Sequence, residues 1–208
     1  MRLARWLDPN AGLSSLDASG RAAVETAVEP LWHGVAAFRV LALSYVVIAY
    51  ALLDQYFDRP LWGWFAVGLM VGWTIIVTLA YRTPIGRRPL MVVTDVAVAC
   101  LAIAATPLVD DPNRVSSGEP TLALVWPAAA VLAAAARWGL PGGFGAACVT
   151  SAASLAARGE FSWTTVRNVV LLMVTGVVVG YAAGLFRSSQ AVLVQALRVD
   201  VFTRSRAA

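Results

Sequence analysis

The chain contains no lysine, a single histidine and two cysteines, and only 13% of its 208 residues are charged. Each shortage removes a class of function. The charged share is about half that of a soluble domain, which argues against a water-facing globule. His33 stands alone, and Cys100 and Cys148 lie apart in separate apolar runs. The sequence therefore offers no His/Cys/Glu cluster for a metal, no Ser–His pairing and no H-E-x-x-H to supply a nucleophile or a metal-bound water. The cysteines read as small buried hydrophobes, not as a disulfide framework. Gly139, Gly142, Gly143 and Gly145 surround Pro141 without a preceding strand, so they suit a turn between helices better than a phosphate loop. No cofactor and no metal are expected. All sixteen basic residues are arginine, which together with abundant Ala, Val, Leu and Gly is the signature of a GC-rich genome and carries no mechanism. The net charge of +4 is spread between apolar runs and forms no basic stripe with interleaved aromatics, so nucleic acid is not an expected partner.

Most of the chain consists of six apolar runs, at 34–53, 61–81, 89–109, 121–136, 140–157 and 166–186. A hydrocarbon core of about 30 Å takes roughly 20 apolar helical residues to cross. Four runs reach that length comfortably; the fourth and fifth are marginal, separated by Arg137, Trp138 and Gly139. The runs lack period-two alternation, so helices and not barrel strands are the way their backbones satisfy themselves in lipid. The predicted fold is all-α: a polytopic membrane protein with six transmembrane helices and a cytoplasmic C-terminal helical extension. Trp62, Trp64, Trp126, Trp138 and Trp163 fall near run ends, where interfacial anchors belong.

Arginine counts set the orientation. With the N-terminus inside, eleven arginines lie on the cytoplasmic side, against Arg59, Arg114, Arg158 and Arg167 outside. Asp54, Asp58, Asp110, Asp111, Glu119 and Glu160 collect outside as well. Both termini are expected in the cytoplasm, at the plasma (inner) membrane, with outer loops too short for a folded sensor. The segment 1–33 carries Asp8, Asp17, Glu25 and Glu29, lacks the apolar core of a cleavable signal, and reads as a cytoplasmic lead-in. A short helix over 17–29, interrupted by Pro30, fits its pattern. The expected domains are this segment, a six-helix region at 34–186, and a helical stub at 187–208. No proline or glycine interrupts the stub, and Leu185, Val192, Ala196 and Val199 trace an a/d-like seam. Two heptads are too few to distinguish a coiled coil from a frayed helical tail.

Within the runs, Arg39 and Asp95 stand at about equal depth, some 8 Å from the cytoplasmic side at about 1.5 Å per residue. A charge near a helix centre costs about 2.5–3.5 kcal/mol on insertion scales, so such residues are functional candidates by default. Two arrangements are open: an Arg39–Asp95 contact holding the first and third helices together, or Arg39 snorkelling to headgroups beside a protonated or hydrated Asp95. Asn168, Gly176, Gly180, Tyr181 and Gly184 mark the sixth run as a helix-packing surface, the glycines forming overlapping small-xxx-small steps.

The order of several motifs carries a resemblance. FRVLAL in the first run, Asp95 in the third with TPLVD at its outer end, PTL before the fourth, and N-x-x-L-L…G-x-V-V-G-Y in the sixth together resemble the membrane input region, DUF5931, of actinobacterial MacS-type sensor histidine kinases. The likeness covers roughly residues 30–204. It implies perception of a signal in or at the membrane, dimerisation, and coupling to a kinase core through the sixth helix. Full-length members continue into a phospho-acceptor helix and an ATP-binding domain, whereas this sequence ends at VFTRSRAA, and His33 precedes the first run. The expectation is therefore an input domain that senses or dimerises without catalysis, with membrane lipid and a second copy or a histidine kinase as partners and its ligand unassigned. The alternative class is a small multi-pass transporter or channel. An ion or substrate path would have to be built from Arg39 and Asp95, and no inverted repeat is evident.

Overall fold

The computed structural model of the chain describes residues 29–53, 60–109, 125–158 and 163–207, and their side chains apart from 53, 108, 109, 191 and 193–207. Seven helical segments make up this part: α1 (Glu29–Leu53), α2 (Pro60–Ala80), α3 (Pro89–Ala104), the single turn α4 (Thr106–Val109), α5 (Ala128–Trp138), α6 (Leu140–Arg158) and α7 (Trp163–Ala207). No strand occurs among the described residues. Four helices are long and apolar enough to cross a membrane: α1, α2, α6 and the first 28 residues of α7. At 16 and 11 residues, α3 and α5 are too short to do so alone. The helix expected over 17–29, the acidic outer loops at 54–59 and 110–120, and the first residues of the fourth run lie outside the described residues.

Element ends depart from the apolar runs where local chemistry intervenes. Pro30 sits in the first turn of α1 as described, Glu29–Leu53. A first-turn proline sacrifices only an N–H that has no helical partner, and Glu29 suits the positive end of the dipole. The third run breaks at Ala105. Pro107 has no N–H to donate back to the Ile103 carbonyl, and its ring crowds that carbonyl, so the helix cannot continue unbroken through it. Among the described residues of the fourth run, the helix begins at Ala128, after Pro127 at the cap position. Between α5 and α6 the chain turns at Gly139, whose φ of 67° is the only positive value among the described residues. Its N–H closes on the Ala135 carbonyl at 2.8 Å, and its own carbonyl accepts from Gly143 at 3.0 Å.

Short as it is, α5 is the centre of the bundle. It packs against α6, α7, α3 and α1, and every residue from Ala129 to Ala136 is buried. Alanine at six of those eight positions allows neighbours to approach from all sides. The closest approach is between α6 and α7, where a side-chain carbon on Gly143 would overlap the Gly176 carbonyl and one on Gly176 would overlap that of Gly143. On the outside, Leu41, Ile48, Leu69, Ile76, Leu101 and Leu171 are exposed. Soluble monomers rarely carry so much contiguous exposed apolar surface, whereas a bilayer accepts it.

Candidate functional site

Three helices each present an inward stripe at steps of three and four residues. On α1 it is Trp32, Val35, Arg39, Ala42, Val46 and Tyr50. On α2 it is Gly63, Val67, Met70, Thr74 and Val77, followed by Tyr81 just past the helix end; on α3 it is Val92, Asp95, Ala99 and Ile103. In each stripe one polar residue interrupts the apolar series: Arg39, Thr74 and Asp95. These lie at one level, because one apolar cluster takes in Trp32, Val35, Val77, Tyr81 and Val92 and a second takes in Val46, Tyr50, Val67, Met70, Ala99 and Ile103. The core is two apolar cells divided by a polar layer.

Asp95 is the hub of that layer. Arg39 donates through Nη2 to Asp95 Oδ2, with the two side chains 1% and 0% exposed. Tyr81 donates its hydroxyl to Oδ2 at 2.9 Å, and Trp73 donates Nε1–H to Oδ1 at 2.9 Å. Arg39 therefore does not reach for a headgroup, and Asp95 is held by three protein donors from two other helices. A buried ion pair recovers its desolvation cost only when such additional bonds satisfy the remaining lone pairs. The Arg39 guanidinium also lies 6.0 Å from the Trp126 ring centroid, within reach of a cation–π attraction. Trp126 in turn donates Nε1–H to Thr74 Oγ1 at 3.0 Å. Since α1 packs on α2 and α5 but makes no comparable backbone contact with α3, long and aromatic side chains, not close backbones, tie α3 to α1 here.

A surface assembly covers one end of the layer. The Tyr81 and Trp32 rings stand 4.9 Å apart. Arg87 donates Nε–H to the Tyr81 carbonyl at 2.7 Å, lies 5.9 Å from the Trp32 ring centroid and pairs with Glu29 at 3.5 Å. The loop between α2 and α3 is thereby fastened to the start of α1. The arrangement contains no nucleophile beside a base, and the described residues hold no group of three metal-ligating side chains. Its chemistry is that of a charged lock between helices.

Among the packing candidates on α7, Gly176 and Gly180 face α6, the latter against the Gly139 carbonyl and Leu140 Cα, both 2.8 Å from where a side-chain carbon would stand. Asn168 is half-buried. The other two do not pack within the chain: Tyr181 is 53% exposed, and a side chain at Gly184 would meet open space. The helix turns Gly176, Gly180 and the buried Ala183 inward, which carries Tyr181 to the outer face. On the expected seam, Leu185 and Val192 are exposed, while Ala196 and Val199 belong to α7 beyond the described side chains. Trp126 is also corrected: it is no interfacial anchor but a buried member of the polar layer, whereas Trp62, Trp64 and Trp163 remain exposed.

Sequence reasoning missed Trp73, Thr74, Tyr81 and Trp126 as partners of the charged pair. Thr74 and Tyr81 stand seven residues apart, two turns on one helical face, and that spacing together with Asp95 was the available signal.

The family model for DUF5931, a family of unknown function, matches residues 18–194. The chain belongs to the DUF5931 family. The match takes in the whole bundle of this DUF5931 protein and all four helices that bring side chains to the polar layer. No curated protein and no solved structure matches the chain.

Proposed function

We propose that this DUF5931 chain is the membrane-embedded input module of a two-component signalling system of the MacS type. Six helices span the plasma membrane with both termini cytoplasmic, and the module perceives a signal or dimerises without catalysing phosphotransfer. One observation carries the reading: α7 runs unbroken for 45 residues, about 68 Å at 1.5 Å per residue. Only its first 28 residues are apolar enough for a membrane, so the rest continues the same rod past the bundle. A continuous rod transmits rotation and displacement, which suits an output helix feeding a second copy or a histidine kinase. The arginine asymmetry and the motif order described above point the same way.

The test is helical phase. The full chain is joined in frame to the dimerisation and catalytic core of an orthodox histidine kinase, and residues are inserted after Arg206. Each insertion rotates the core by about 100° and seven return it to within about 20°. Autophosphorylation in membranes should change with one to three inserted residues and recover with seven. Activity indifferent to insertion length would overturn the proposal.

A further inference from the structure

The central helix meets the polar layer at one end and the output helix at the other. Its entry turn carries Trp126, bonded to Thr74 and set against the Arg39 guanidinium. Its last turn carries the Ala135 and Arg137 carbonyls, which accept from Arg187 Nη2 at 3.2 Å and Nη1 at 3.0 Å. The Arg137 carbonyl is among the final carbonyls of a helix that have no partner within it, the Ala135 carbonyl also accepts from Gly139, and a guanidinium there meets the negative end of the dipole. Arg187 lies seven residues past Gly180, where α7 crosses the turn between α5 and α6. Helical side chains lean toward the N-terminus, so Arg187 reaches back onto α5 from a point beyond it. Its Nε has no partner among the described residues, which leaves those two carbonyls as the anchorage identified for the guanidinium.

We propose that Arg187 is a latch fixing the exit of α7 to the C-terminal turn of α5, and that α5 carries a rearrangement of the Arg39–Asp95 layer to that latch. The inference rests on α7 being the output helix. Between Trp126 and the latch lie eight consecutive buried residues, about 12 Å of helix enclosed by neighbours. A close-packed interior of this kind transmits displacement instead of absorbing it. With the layer intact, α5 holds its carbonyls where Arg187 reaches them. When the layer is disturbed, Trp126 shifts, the C-terminal turn of α5 moves with it, and α7 is released to change its rotation.

Cysteine labelling in native membranes tests both halves. Cys100 and Cys148 are first replaced with alanine. Gln190→Cys then places a probe at a half-buried position one turn past the latch, and Val192→Cys a control at a site 67% exposed. Maleimide labelling at 190 should accelerate severalfold with Arg187→Gln, be restored by Arg187→Lys, and stay unchanged at 192. Asp95→Asn and Trp126→Phe should accelerate labelling at 190 in the same way and add nothing once Arg187→Gln is present. Trp126→Phe keeps an aromatic ring in place, so it carries the test if Asp95→Asn fails to fold. Unchanged labelling with Arg187→Gln would overturn the latch. Equal acceleration by Trp126→Phe with and without Arg187, or none at all, would overturn transmission through it. Labelling reads the position of α7 alone, so a kinase fusion that failed the phase test would leave this result standing, and the reverse also holds.

Discussion

Replacing Asp95 with asparagine removes the negative charge from a layer in which Arg39, Tyr81 and Trp73 all donate to it. The amide offers one acceptor oxygen where the carboxylate offered two, and its nitrogen faces donors. Arg39, 1% exposed, is left as a buried charge without its counter-ion. Breaking a buried pair from one side costs about 3–5 kcal/mol, and one stranded donor about 1–3 kcal/mol. These overlap, so Asp95→Asn should cost about 4 kcal/mol. Arg39→Met should cost about as much, because it strands the carboxylate instead. The double variant has neither charge and keeps an acceptor for Tyr81, so its loss should fall short of the sum by about 3 kcal/mol, the upper range for residues in contact. Unfolding in mixed detergent–dodecyl sulfate micelles, followed by helical circular dichroism, gives the four free energies of the cycle. Losses that add to within about 0.5 kcal/mol would mean no coupling and would refute the lock.

Tyr81→Phe removes a single bond to the carboxylate and should cost about 1.5–3 kcal/mol in the same assay, clearly less than Asp95→Asn. Gly143→Ala and Gly176→Ala each force a methyl group into a backbone carbonyl across the α6–α7 contact; each should lower the free energy of unfolding by about 1–3 kcal/mol, while Gly184→Ala should be neutral. Gly139→Ala meets a backbone with φ of 67° and ψ of −145°, a sparsely populated region that glycine tolerates, and should cost about 1–3 kcal/mol, read as a lower melting temperature in detergent. Reporter fusions after Ala208 and within 110–120 should report opposite sides of the membrane, and the same side for both would contradict the proposed topology.

Helix identity was legible because apolar runs of this length leave the backbone few other solutions, and all seven described segments fall within or beside the six runs. Their ends were less legible. Pro30 lies in the first described turn of α1, whereas Pro107 follows the end of α3, and composition alone does not tell the two settings apart. Arg39 and Asp95 stood out because charge in an apolar run is conspicuous. Their partners did not, since Trp73, Tyr81 and Trp126 are as apolar by composition as the side chains that face outward. Trp126 shows the limit well: proximity to a run end reads as an interface, but α5 begins inside the bundle and takes its tryptophan with it. The inward face of α7 was half legible, because small-xxx-small steps locate a surface suited to close contact without saying which glycine meets a neighbour.

The enclosure of α5 bears on how the molecule assembles. With 11 residues it reaches about 16 Å, half of a hydrocarbon core, and its buried alanines have no outward face to hold it among lipid tails. Its place exists only once α1, α3, α6 and α7 surround it. In the proposed membrane setting, long helices would enter the bilayer as independent units and associate afterwards, with α5 admitted late, as a hairpin with α6, and sealed in when α7 closes over Gly143. The order of synthesis matches that sequence of events, since α7, which completes the enclosure, follows every other described helix of the bundle in the chain.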